Sequence, residues 1–195
     1  MELKSVGGEQ DYRKAINAAV RALWTGETDL FGFVDNMVGS IRRGLTRAWH
    51  EGAGSCGIQP ADLTVDELFT LAGIINSEIS HILDFGQAIE KGSRANKGKL
   101  STQLRRAQMW GNKYTAVLYQ AQTTSCSDLK LRWDLGIAEH CRSCMKLSGK
   151  VYRASTWRKY DLYPKHRRLE CNGYRCQCRF TITQQPCTPG VPPRI

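Results

Sequence analysis

The sequence lacks a long hydrophobic run and an apolar N-terminal segment. None of its apolar stretches approaches the roughly 18 residues that a membrane-spanning helix requires. The start of the chain, MELKSVGGEQDYRK, contains nothing like the hydrophobic part of a secretory signal peptide. We therefore expect a soluble globular protein that is not exported by the usual route and has no membrane partner. Its 195 residues suffice for one domain, or for one domain with a small appendage.

Acidic residues are scarce only in the last third of the chain. Residues 1–128 contain 14 basic and 14 acidic residues, whereas residues 129–195 contain 14 basic and only four acidic residues. The formal net charge of +10 therefore belongs entirely to the C-terminal part. Six of the eight cysteines lie in the same part. This difference in composition predicts two unlike structural regions.

The first region, residues 1–128, has the periodicity of amphipathic helices. Thr64 and Glu67 form a capping box at the start of one helix, and Gly92 is suited to end it. Elsewhere too, apolar residues recur at steps of three and four, which predicts faces directed at a core. We expect three or four helices, suited to assembly with other proteins. The predicted stripes are Ile16, Val20 and Leu23; Leu30, Val34, Met37, Ile41, Leu45 and Ala48; Leu68, Leu71, Ile75, Ile79 and Ile82; and Leu100, Leu104, Ala107, Gly111, Tyr114 and Leu118.

The second region, residues 129–185, is predicted to contain short strands. Apolar and polar residues partly alternate in LKLRWDL (129–135) and CRFTITQ (178–184), and β-branched and aromatic residues occur in CRFTITQ and in GKVYR (149–153). Residues 186–195 hold four of the six prolines, which excludes a helix or a central strand and predicts an extended tail. The predicted fold class is therefore α+β, with a helical region followed by a small β-rich module.

Five cysteines in this module have the spacing of a metal site. Two residues separate Cys141 from Cys144, and a second cluster begins 26 residues later. Zinc takes four tetrahedral ligands, with thiolate sulfur at about 2.3 Å, and the short spacing within each cluster suits this geometry. We predict one structural Zn²⁺ with every ligand position filled by protein. The candidate ligands are Cys141, Cys144, Cys171 and Cys176, with Cys178 as the alternative fourth ligand.

Other cysteine chemistries fit the pattern less well. A thioredoxin-like redox pair needs an α/β context, which is lacking around Cys141. Disulfides require an oxidising compartment, and the sequence shows no signal for export to one. A thiol protease needs an oriented histidine, and a zinc deaminase needs a His-x-Glu motif that the chain lacks. We expect His140 to be exposed or to support a ligand, and ligation in place of a cysteine is the alternative.

Basic and aromatic residues alternate through the second region, which suits phosphate contacts with stacking on Tyr152, Trp157, Tyr160, Tyr163 and Tyr174. Four thiolates and one Zn²⁺ add about −2, so the region keeps roughly +8. Binding to DNA would then depend on salt and not on base sequence. A solvated basic face, or contact with an acidic protein, remains the alternative. The candidate nucleic-acid contacts are Lys146, Lys150, Arg153, Arg158, Lys159, Arg167, Arg168 and Arg175.

Taken together, these features resemble the head-morphogenesis domain of the phage Mu F-like minor head proteins. The resemblance covers about residues 100–180: a helix with RRAQMWGNKYTAVLYQA, a strand with LRWDL, the knuckle EHCRSCMKLSGKVY, a loop with Trp157 and Pro164, and the pair CQC before a final strand. The knuckle is its most specific part. One departure is that the family's terminal histidine is absent and Cys171 stands before an inserted Asn-Gly-Tyr. Zinc accepts thiolate in place of imidazole.

The resemblance implies a non-enzymatic structural protein of a tailed phage, without a small-molecule substrate. Its expected partners are the portal protein, the major capsid protein, or both, together with packaged double-stranded DNA. Its expected location is inside the virion head near the portal, after assembly in the host cytoplasm.

Two alternatives remain open at the level of sequence. One is a zinc-stapled nuclease of the HNH type with His166 as general base, although YPKHRRLE lacks the adjacent Asp-His pair of such enzymes. The other is a small phage-encoded zinc protein with a regulatory or nucleic-acid-binding role.

Overall fold

The computed structural model describes residues 6–137, 139–174 and 176–195. The fold is α+β, with a helical region followed by a three-stranded sheet, as the sequence predicted. Among the described residues, no helix combines the length and the apolar character needed to cross a bilayer. The elements in order are α1 (Val6–Thr25), α2 (Leu30–Gly54), a 3-10 turn (Pro60–Asp62), α3 (Val65–Ile79), α4 (Ile82–Lys91), α5 (Leu100–Ser125), β1 (Lys130–Asp134), α6 (Arg142–Leu147), β2 (Val151–Arg153), α7 (Ala154–Lys159) and β3 (Arg179–Ile182).

The chain divides into two compact units, and the division falls within α2 and within α5. The first unit comprises the described residues up to Ala48 together with Thr64–Tyr114. The second unit comprises Trp49–Leu63 and Thr115–Ile195. The sequence placed a boundary after residue 128. In the structure, the C-terminal parts of α2 and α5 also belong to the second unit.

In the first unit, the stripes of α1 and α2 face the core. Ile16, Val20 and Leu23 of α1 are buried, and α2 buries Met37, Ile41 and Leu45. Aromatic rings fill the space between further elements of this unit: Phe85 lies 6.1 Å from Phe33 and 4.9 Å from Trp110, measured between ring centroids. Burial of these stripes supplies the main stabilisation of the helices, because most helical stability in proteins comes from packing of an amphipathic face and not from intrinsic propensity.

The segment predicted as one helix between Thr64 and Gly92 is two helices, α3 and α4. The capping box is confirmed: the Thr64 amide donates to Glu67 Oε2 at 2.8 Å, and the Glu67 amide donates to Thr64 Oγ1 at 3.3 Å. The prediction that Leu68 faces the core is wrong, because its side chain is 48% exposed. The buried residues of α3 are Glu67 and Leu71, one turn apart, and Leu68 lies about 100° further around the helix than Glu67.

The second unit is built on an antiparallel sheet with the order β2-β1-β3. Leu131 and Trp133 of the central strand β1 are both fully buried, as the two-residue period of a strand requires. Trp133 pairs with Phe180 of β3, and their ring centroids are 5.5 Å apart. Trp157 of α7 packs 5.7 Å from Trp133, and its indole N–H donates to the Leu131 carbonyl at 3.0 Å.

The proline-rich tail has no helix or strand and lies beside β2. The Val151 amide donates to Thr188 Oγ1 at 3.0 Å, and the Thr188 amide donates to the Val151 carbonyl at 2.8 Å. These hydrogen bonds satisfy backbone groups at the outer edge of the sheet, which would otherwise be free to pair with another chain.

A disulfide joins Cys56 and Cys126, whose Cα atoms are 5.7 Å apart. The sequence analysis favours metal binding over disulfides, so this pair was not predicted. The two cysteines are separated by 70 residues and come together within the second unit, near the ends of α2 and α5. Such a pairing depends on how the two helices pack, which cysteine spacing does not encode.

Candidate metal centre

The first cysteine pair lies at the start of α6. Cys141 is the residue before the helix, with an extended backbone at φ −72° and ψ 162°, and Cys144 lies in the first turn. The Met145 amide donates to the Cys141 carbonyl at 3.0 Å and closes that turn. Residues three apart lie on the same side of a helix, so both sulfur atoms point to one place.

The second cysteine cluster depends on a tight turn between Cys171 and Tyr174. The Tyr174 amide donates to the Cys171 carbonyl at 2.7 Å, and Asn172 and Gly173 both have positive φ values, of 49° and 73°. Any side chain at Gly173 would clash with the Lys165 carbonyl oxygen. Glycine at this position therefore serves both the turn geometry and the close approach of two backbone segments.

The two cysteine-bearing segments are hydrogen-bonded to each other independently of any metal. The Glu170 amide donates to Ser143 Oγ at 3.1 Å, and the Arg142 amide donates to Glu170 Oε2 at 2.7 Å. Cys178 stands immediately before β3, whose pairing with β1 fixes its backbone. Three elements thus position the five thiols: the start of α6, the turn before Tyr174, and the start of β3.

The sulfur atoms of the five predicted ligands form two groups that share Cys144. In one group, Cys141, Cys144 and Cys171 lie within 4.8 Å of one another, and in the other, Cys144, Cys176 and Cys178 do so. The sulfur atoms of Cys144 and Cys176 are 4.0 Å apart. Tetrahedral coordination with 2.3 Å bonds places sulfur atoms about 3.8 Å apart. The second unit therefore contains a cysteine cluster that can hold a metal ion.

The thiols perturb one another's ionisation. The neighbouring thiols, Cys144 first and then Cys171 and Cys178, lower the pKa of Cys176. The pKa of Cys144 is raised, because Cys171, Cys176 and Cys178 oppose a second thiolate beside the first, and burial adds to this effect. The pKa of Cys178 rises to about 11: the Cys144 hydrogen bond lowers it, but Cys176 and burial outweigh this. A bound cation would offset the repulsion between neighbouring thiolates, because its positive charge stabilises several thiolates together.

The Trp133 indole and the His140 ring lie beside the Cys178 thiol, where they can support a thiolate bound to a metal. The buried Trp133 indole N–H has no hydrogen-bond acceptor among the described residues, and it lies close enough to the Cys178 thiol to lower its pKa. His140 Nδ1 lies 3.7 Å from the Cys178 sulfur, while Nε2 is 3.0 Å from the Gly136 carbonyl oxygen. Sequence reasoning did not place Trp133 beside the cysteine cluster, although the alternation of apolar and polar residues in 129–135 predicted its strand.

The candidate nucleic-acid residues are largely at the surface, but two of the predicted stacking rings are not. Trp157 is fully buried and Tyr152 is 4% exposed, so both belong to the core. The prediction that they stack on bases is wrong. An aromatic ring suits base stacking and core packing equally well, and in this structure both rings pack in the core beside the sheet. Tyr174 is 41% exposed.

The exposed cations differ in their ionic partners. Arg153 Nη1 lies 3.0 Å from Asp128 Oδ1, and Arg168 Nη1 lies 3.4 Å from Asp161 Oδ2. Of the remaining predicted contacts, Lys146, Arg158, Lys159 and Arg167 are exposed, Lys150 is half-buried, and Arg175 lies outside the described residues. Surface ion pairs of this kind contribute little to stability, so Arg153 and Arg168 remain available to an anionic partner.

His166, the general base of the nuclease alternative, is buried. Its side chain is 7% exposed, and Nδ1 accepts a hydrogen bond from the Arg168 amide at 3.2 Å. Its Nε2 is 3.6 Å from Asp161 Oδ2, and its ring centroid is 4.4 Å from that of Tyr163. Both ring nitrogens therefore face protein groups, whereas a general base needs a nitrogen that reaches the proton it removes.

Comparison with protein-family models, with curated proteins and with solved structures gives no match to this chain.

Proposed function

We propose that this chain is a minor head protein of a tailed phage, with a C-terminal unit that folds around structural zinc. The observation that carries the proposal is the convergence of five cysteines at the start of α6, at the turn before Tyr174 and at the start of β3. The order of α5, β1, a Cys-x-x-Cys knuckle, β2 and a Cys-x-Cys pair before β3 is the order in which the head-morphogenesis domain presents these features.

Zinc is the metal that this donor set favours. Thiolate sulfur is a soft ligand, and a buried site with thiolates only is typical of structural zinc or of iron–sulfur clusters. The sheet has strands of five, three and four residues, at the short end of the range in globular proteins, so it gains from further support. Metal binding supplies that support, because the free energy of binding becomes free energy of folding.

In this proposal the protein is not an enzyme, and the metal performs no chemistry. Burial of His166 against Asp161 and Tyr163 supports this view, since both of its ring nitrogens already face protein groups. The metal and the residues of the second unit instead fix the positions of the sheet, the tail and the basic surface.

The basic surface is proposed to contact phosphates of packaged DNA near the portal. Lys159 and Arg167 are exposed and have no acidic partner among the described residues, so they are the simplest candidates for such contacts. Because Trp157 and Tyr152 are core residues, neither ring can stack on bases, and the binding energy would come mainly from charge. Each phosphate contact adds about 0.9 to the slope of log K against log salt concentration.

The DNA contact is tested by gel shift over a range of salt concentrations. Changing Lys159 and Arg167 together to Ala should reduce the salt slope by about 2. The matched control is Lys14→Ala with Arg42→Ala, two exposed cations of the first unit, and should leave the slope unchanged. Equal slopes for all three proteins would remove DNA from the proposal.

The assembly role is tested by locating the chain in purified particles. We expect quantitative mass spectrometry to find it in heads and procapsids in a few copies, bound near the portal. A regulatory protein would instead be found only in the soluble fraction of infected cells. That outcome would overturn the head-protein assignment even if the zinc unit is intact.

A further inference from the structure

We propose that the cysteine cluster binds two metal ions that share the Cys144 thiolate. This inference rests on the proposed metal-folded unit and changes the expected number of ions from one to two. The observation behind it is that the five thiols form two groups of three with Cys144 in common, and not one group of four.

A single tetrahedral site would need four sulfur atoms at mutual distances of about 3.8 Å. Among the described residues, no four cysteine sulfur atoms lie within 4.8 Å of one another. In particular, the four ligands preferred from the sequence do not form one group. Cys176 lies in the group of Cys178, whereas Cys141 and Cys171 lie in the other group. One ion in each group uses all five thiols. A thiolate shared by two ions at 2.3 Å places the ions about 3.8 Å apart.

The inner ion would lie among Cys144, Cys176 and Cys178, all of which are buried. His140 is suited to complete this set. Its Nε2 is within hydrogen-bonding distance of the Gly136 carbonyl, which requires the N–H there and leaves a lone pair on Nδ1. Nδ1 lies 3.7 Å from the Cys178 sulfur, close to the roughly 3.6 Å that separates sulfur and nitrogen in a tetrahedral zinc site. The ring must shift toward Cys144 and Cys176, because it is not within 4.8 Å of both sulfur atoms.

The outer ion would lie among Cys141, Cys144 and Cys171. Cys141 and Cys171 are partly exposed, so water can occupy its fourth position. Charge favours the pair of ions: four thiolates with one divalent ion leave −2, whereas five thiolates with two divalent ions leave −1. A net charge near zero lowers the cost of keeping the cluster in a partly buried place.

The number of ions is measured on the full-length chain prepared in Zn²⁺ and exchanged into metal-free buffer. Native mass spectrometry should show two zinc ions per chain. Replacement with ¹¹³Cd²⁺ should give two NMR signals that are coupled through the shared sulfur. One retained ion would overturn the two-ion inference and leave the zinc-folded unit standing, whereas no retained ion would overturn both.

Single variants then assign the ions. Cys178→Ala and Cys171→Ala should each retain one ion, because each removes a ligand from a different group. Cys187→Ala is the matched control, since Cys187 is exposed and outside both groups, and should retain two ions. If Cys178→Ala retains as many ions as the unchanged chain, the inner site does not exist. If a variant does not fold, the ion count and cadmium coupling of the unchanged chain still decide the question.

Discussion

Replacement of Trp157 tests whether this ring belongs to the core or to a nucleic-acid surface. The side chain is fully buried, with ring centroids at 5.0 Å from Tyr152, 5.2 Å from Phe180 and 5.7 Å from Trp133. Truncation of a buried Trp to Ala costs about 3–5 kcal/mol. Domains of this size have only about 5–15 kcal/mol of stability in total, so Trp157→Ala should leave the second unit marginally folded.

Trp157→Phe separates packing from the hydrogen bond. Phe keeps much of the ring contact but loses the indole N–H that donates to the Leu131 carbonyl at 3.0 Å. Loss of this hydrogen bond costs about 0.5–1.5 kcal/mol, because Leu131 also lies in the β1–β2 ladder opposite Tyr152. We therefore expect Trp157→Phe to unfold at lower urea concentration than the unchanged chain but to bind DNA equally well under native conditions.

The assay combines urea unfolding of the zinc-loaded chain with gel shifts on double-stranded DNA. Tyr174→Ala is the control for stability only: Tyr174 is 41% exposed, so its loss should change stability by less than about 1 kcal/mol, while its gel shift measures any stacking by this exposed ring. If Trp157→Phe were as stable as the unchanged chain and bound DNA tenfold more weakly, the ring would contact nucleic acid and its assignment to the core would be refuted.

Three further changes probe other parts of the chain. Chelation of the metal should unfold the sheet while the helical signal of the first unit persists, since structural zinc contributes about 10–16 kcal/mol of apparent binding energy; a sheet that stays protected from hydrogen exchange would contradict this. Cys56→Ala should lower the stability of the second unit by up to about 4 kcal/mol, the entropy expected for a link across 70 residues, without changing the zinc content; an unchanged unfolding midpoint would show that the link does not stabilise the unit. Thr64→Ala should destabilise the first unit by about 1 kcal/mol and Thr64→Ser by less, because serine keeps the capping oxygen; equal losses would argue against the cap.

Local sequence patterns predicted the elements whose signals are local. The Thr64–Glu67 capping box lies where its residue spacing placed it, and the alternation of Leu131 and Trp133 identified β1. The three predicted strands are all present. These features succeed because each depends on neighbours within a few residues, so little about the rest of the fold needs to be known.

Features set by packing were not predictable in the same way. Leu68 belongs to a regular apolar stripe, yet α3 buries the row through Glu67 and Leu71. The short helix α7 carries Trp157 into the core, and nothing in its six residues distinguishes a core ring from a surface ring. For the metal cluster, the spacing identified the five cysteines, but their division into two groups depends on the turn at Gly173 and on the strand that follows Cys178.

The second unit is constrained at two separate places, the disulfide and the cysteine cluster. The disulfide connects segments 70 residues apart near the ends of α2 and α5, whereas the cysteine cluster connects α6 with the segment that leads into β3. Closing a long loop costs entropy before any contact is gained, and a sheet with such short strands recovers little of that cost. Because the two constraints share no residue, loss of the disulfide should leave the cluster assembled, and loss of the metal should leave the link between the helices in place.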